Sequence, residues 1–116
     1  MTLGIIVRTC PYSNQNLDTV YEISKRALQK GHKVMIFFYE DAVLALNKNI
    51  KSPGERNIAE RMLELGTLGV TLFACGLCAR FRGLPKDSII DGAKMAGMAV
   101  MAKLINESDQ IITFNF

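Results

Sequence analysis

Tryptophan is absent from this 116-residue sequence, histidine occurs once, and proline and cysteine occur three times each. Apolar stretches such as Val70–Ala74 and Met95–Ala102 fall well short of the ~20 residues that a membrane-crossing helix needs. No basic stripe is present, and a net charge of +3 is too small and too scattered for a nucleic-acid footprint. The opening Met1-Thr2-Leu3-Gly4 leads directly into a strand-like run, without the basic segment and small-residue cleavage site of a secretory leader. Nor do three cysteines, two of them only three residues apart, resemble the even, dispersed framework of a secreted disulfide scaffold. These absences predict a cytoplasmic protein with reduced thiols, no membrane association and no direct nucleic-acid binding.

What is present reads as one globular domain spanning residues 1–116, with 49% hydrophobic and 22% charged residues. Leu3–Val7, Val34–Tyr39, Val70–Ala74 and Gln110–Phe114 are continuous aliphatic or aromatic runs, the pattern of strands covered on both faces. Between them, Leu17, Val20, Ile23, Ala27 and Leu28 recur at helical spacing, and Gly31 is placed to close that helix. Asp41–Leu46 reads as a short helix and Glu55–Leu65 as a longer one, with Ile58, Met62 and Leu65 on a single face. A helical turn follows Cys75, and Asp87–Ile105 reads as one long helix. Alternating strands and helices predict a single three-layer α/β domain, with a mostly parallel sheet of four to five strands flanked by helices, flavodoxin- or Rossmann-like.

In open α/β sheets, ligands gather beyond the carboxyl ends of the strands. Cys10, Cys75 and Cys78 all fall past such ends, whereas the single histidine, His32, precedes the second strand and belongs to the opposite edge. Cys75 ends a strand and starts a helix, a setting in which backbone N–H groups and the nearby cations Arg80 and Arg82 favour a thiolate. Cys78, one helical turn on, is placed to resolve a disulfide or persulfide on its neighbour. Cys10 is a secondary candidate. A buried cysteine also serves as a small apolar filler, so a non-catalytic scaffold subunit and a C-x-x-C thiol-disulfide oxidoreductase are the alternatives. Thioredoxin-like use of that motif normally brings a Trp or Pro beside it, and the Trp is missing here. Zinc wants four ligands, and this edge has three cysteines and no histidine, so no metal is expected. The loop after the first strand has no Gly-rich phosphate cradle, and no cofactor is expected either.

The strand-opening Leu3-Gly4-Ile5-Ile6-Val7 is followed by Gly31-His32-Lys33-Val34 leading to Phe37-Phe38-Tyr39. Phe73-Ala74-Cys75 then precedes Arg82-Gly83, and Asp109–Phe114 closes the chain. In this order the segments resemble the DsrE/DsrF-like family of TusD-like sulfur relay proteins. The resemblance covers nearly the whole sequence and implies a sulfur-transfer role, in which Cys75 takes a sulfane sulfur as a persulfide and passes it on. It further implies protein partners that donate and accept sulfur, and a homo-oligomer, trimeric or hexameric. Cys78 and Cys10 are not landmarks of that pattern, and Cys78 opens a dithiol role. Arg80 and Arg82 would favour the anion or dock a partner. Independently, Met95–Ala102 is apolar around its full circumference if helical, which also predicts self-association.

Overall fold

In the computed structural model, which describes residues 1–52, 54 and 56–116, the aliphatic runs are strands of one sheet. They are β1 (Thr2–Val7), β2 (Lys33–Phe38), β3 (Thr71–Cys75), β4 (Ala93–Ala96) and β5 (Gln110–Phe114). All neighbours are parallel, in the order β4-β3-β2-β1-β5. The α/β class and parallel sheet therefore stand as predicted, with five strands. Ile5, Val7, Ile36, Phe37, Phe38, Leu72 and Ala74 have no solvent exposure. Each of the larger of these side chains contributes about 1.5–3 kcal/mol through burial.

Helices α1 (Asn16–Gln29) and α2 (Ile58–Thr67) bury one stripe each, Leu17, Val20, Tyr21 and Ser24 on α1 and Ile58, Ala59, Met62 and Leu65 on α2. Gly31, at φ +85°, follows the last turn of α1 in the left-handed conformation that a glycine tolerates. Asn57 caps α2 by accepting the Glu60 amide at 3.0 Å. The predicted start of that helix at Glu55 lies outside the described residues, and α2 runs from Ile58. Asp41–Leu46 becomes a 3-10 turn, Glu40–Leu46.

The predicted long helix Asp87–Ile105 is incorrect. Lys86–Ser88 is a single 3-10 turn, Ala93–Ala96 is β4, and only Met98–Glu107 is helical, as α4. Gly92, at φ +90°, and the extended Gly97 interrupt the helix, while Ala93–Ala96 pairs with Leu72–Cys75 of β3. A parallel ladder overrides the helical propensity of Ala, Lys and Met, which ranks among the highest. The apolar run Met95–Ala102 is therefore split between strand and helix. On α4 only Leu104 is fully buried, and Met98, Ala102 and Ile105 form an exposed apolar stripe. α4 rests on β1 where Gly4 leaves room, since a Cβ there would come within 2.3 Å of Ser108 Oγ. Among the described residues, no helix is long and apolar enough to cross a membrane.

Candidate functional site

The end of β3 sits between the ends of its two neighbours. Cys75, its last residue, pairs with Ala96 of β4, and β2 ends one residue earlier in register, with Phe38 opposite Ala74. Helix α3 (Gly76–Phe81) begins at once, so Cys75 is both strand terminus and helix N-cap. Its Sγ accepts the backbone amide of Cys78 at 3.4 Å, the position a Ser or Asp oxygen takes in an ordinary cap. Cys75 is 3% exposed and Cys78 8%, yet both line a cavity of about 470 Å3. Tyr39 and Glu40, from beyond β2, and Gly97 and Met98, at the start of α4, complete it with Leu77, Phe81 and Arg82. Leu77 and Phe81, one helical turn apart, form an exposed apolar lip.

The charges on the wall are already engaged. Arg82 reaches Asp41 Oδ1 through Nε at 2.8 Å and Nη2 at 2.7 Å, and donates from Nη1 to the Cys78 carbonyl at 3.0 Å. Glu40 is paired with Arg8, whose guanidinium lies 5.9 Å from the Phe116 ring. Among the described residues, Glu40 is also one of two non-glycine residues with positive φ, at +52°, a conformation that costs energy and concentrates at functional sites. Burial pushes the Cys78 thiol up, and its hydrogen bond with Cys75 adds to this. The Glu40 backbone and the Arg82 charge offset part of the rise. Cys78 is therefore held toward its protonated form beside a partner sulfur that receives an amide hydrogen bond.

The structure thus brings Cys75, Cys78 and Arg82 to one cavity. Arg80 is exposed on a neighbouring face of α3, and Cys10, half-buried after β1, is not part of the cavity wall. The polar segment before α1 is locally organised, with Asn14 accepting the Asn16 amide and Asn16 donating to Thr9 Oγ1. His32 lies at the opposite edge, near the amino terminus of Met1. Tyr39, Leu77, Phe81 and Met98 were not among the site residues expected from the sequence. The i, i+4 spacing of Leu77 and Phe81 was the available signal. Among the described residues, no group of three or more His, Cys, Asp or Glu converges to hold a metal ion.

The sequence profile of the DsrE/DsrF-like family matches residues 1–114. The chain belongs to the DsrE/DsrF-like family. Among relatives of this DsrE/DsrF-like chain, the uncharacterized protein MJ0989 of Methanocaldococcus jannaschii is 30% identical over 114 residues, covering 98% of this chain and all of its own. Sulfurtransferase TusD of Serratia proteamaculans is 24% identical, covering 95% and 96% of the two chains. The crystal structure of the YchN protein of Escherichia coli superimposes with a TM-score of 0.82 at 24% identity, over 98% of this chain and 99% of that one. That superposition establishes the same fold.

Proposed function

We propose that this DsrE/DsrF-like protein is a cytoplasmic persulfide carrier whose working atom is Cys75 Sγ. The observation that carries the proposal is the placement of that sulfur on a cavity wall, at the head of α3, under the Cys78 amide. The Cys75 thiolate attacks the outer sulfur of a donor persulfide, the donor S–S bond breaks, and the donor leaves as a thiolate. Cys75 then holds one sulfane sulfur, and an acceptor thiolate removes it by the same step in reverse. No net oxidation occurs in either transfer. The distant relationship to sulfurtransferase TusD is consistent with such a role.

Partners are the donor and acceptor proteins, together with further copies of this chain docked through Ala102 and Ile105 on α4. A trimer or hexamer follows from the family resemblance. Incubation with inorganic polysulfide should add the mass of one sulfur atom, about 32 Da, to the peptide containing Cys75. Loading confined to Cys10, or none in the folded protein, counts against the proposal.

The burial of Cys78 in the same cavity favours a second reading, a reversible Cys75–Cys78 disulfide in a thiol-disulfide oxidoreductase. A redox titration under mild oxidants that yields no such bond dismisses it. The scaffold alternative rests on the low exposure of Cys75 and predicts alkylation only after denaturation.

A further inference from the structure

Helix α3 is a ridge between two concavities. Leu77 and Phe81 face the thiol cavity, while Gly76 and Arg80, four residues apart like that pair, face a second one of about 490 Å3. Lys86 and Ala96 also line the second concavity, and Gly97 borders both. The two differ in charge. The ionised groups of the thiol cavity, Glu40 and Arg82, are spent on Arg8 and Asp41. Arg80 and Lys86 are exposed and have no ion-pair partner among the described residues. An ionised side chain entering the first concavity would lose water without gaining a free counter-charge, which costs energy. A carboxylate entering the second meets two cations.

We infer that the two concavities together bind an extended, cysteine-bearing segment of the sulfur acceptor, with an apolar residue on one side of its cysteine and an acidic residue on the other. The inference rests on the carrier reading and specifies the partner of that same site. The apolar side chain seats between Leu77, Phe81 and Met98, and the carboxylate reaches Arg80 and Lys86. Between them the cysteine meets the persulfide at the head of α3. Two residues on either side of the cysteine span roughly 14 Å when extended, enough to straddle a helix about 10 Å wide. In the transfer, the acceptor thiolate attacks the outer sulfur of Cys75–S–SH, the S–S bond breaks with its electron pair remaining on Cys75 Sγ, and the acceptor becomes the persulfide.

The test uses the polysulfide-loaded full chain and two synthetic peptides, Leu-Ala-Cys-Ala-Asp and its reversed sequence. Each peptide is compared with versions carrying Ser for Leu or Lys for Asp, and every rate is divided by that protein's own rate to dithiothreitol. At low ionic strength at least one parent peptide should accept sulfur about tenfold faster than its Lys version, with the margin shrinking as salt screens the contact. The Ser version should also be slower. In Arg80→Glu/Lys86→Glu the order should reverse, the Lys peptide becoming the faster acceptor. Equal normalised rates for all peptides with normal loading of Cys75, or no reversal in the charge-swapped protein, overturns the inference and leaves the carrier reading in place. Failure of Cys75 to load overturns both.

Discussion

The backbone amide of Cys78 donates to the sulfur of Cys75, while the Cys78 thiol is held toward its protonated form by burial and by that same neighbour. Three residues apart in sequence, the two thiols occupy unlike environments, one receiving a backbone hydrogen bond and the other held toward its protonated form.

The first prediction concerns that difference. In the unsubstituted chain, with modification at Cys75 and Cys78 distinguished by peptide fragmentation, iodoacetamide should modify Cys78 slowly at neutral pH, with the rate rising only above the ordinary thiol range. A raised proton affinity means less thiolate at any given pH. Peptide mass spectrometry across a pH series reads the midpoint, and a midpoint below that range would refute the assigned environment.

Glu40 provides the second. Its left-handed backbone is strained for any residue with a Cβ, and most of all for a β-branched one. Glu40→Gly and Glu40→Val both delete the ion pair with Arg8, so the difference between them isolates the backbone. Urea unfolding should find the valine variant less stable by about 1–2 kcal/mol, and equal midpoints would show that this φ carries no strain.

Gly4 sets the distance between α4 and β1. An added Cβ meets Ser108 Oγ at 2.3 Å and Leu104 Cδ2 at 2.9 Å, and the Ser108 hydroxyl is itself tied to the Leu104 carbonyl at 2.7 Å. Gly4→Ala should therefore cost about 1–3 kcal/mol by overpacking. Adding Ser108→Gly should return part of the loss. Thermal denaturation of the single and double variants decides this.

A fourth prediction follows from the network that joins α1 to α2. Tyr21 donates to Glu64 at 2.7 Å and accepts from Lys25 at 3.2 Å. The Tyr21 hydroxyl first, and Lys25 after it, hold the Glu64 carboxyl below the usual carboxylate range. A lowered folded-state pKa gives stability that is present above the unfolded carboxylate pKa and lost as pH falls through the folded value. Tyr21→Phe should thus destabilise the protein at neutral pH, and its deficit relative to the parent should narrow in acid. A deficit independent of pH would remove Glu64 from the explanation.

Four of the five strands were legible because each carries a continuous aliphatic or aromatic run, which burial on both faces explains for Leu3–Val7 and Val34–Phe38, although Gln110–Phe114 carries such a run at the exposed edge of the sheet. Ala93-Lys94-Met95-Ala96 has no β-branched residue and sits at the sheet edge, so its strand character comes from pairing with β3. Cys75 could be placed because strand ends and helix starts coincide where ligands gather. The rest of the cavity could not, since Tyr39, Phe81 and Met98 come from three separate segments whose meeting depends on strand order. Likewise, the engagement of Arg82 by Asp41 rather than by solvent is a tertiary fact, with 41 positions separating the two residues.

β1 has as one of its two neighbours β5, which follows it by about a hundred residues along the chain. During synthesis, therefore, one flank of β1 stays bare until residues 110–114 clear the ribosome, and an exposed flank of that kind invites pairing with another chain. Nascent molecules of this topology need to finish quickly or be shielded. Shortening the chain by its final strand should move it from the supernatant to the pellet.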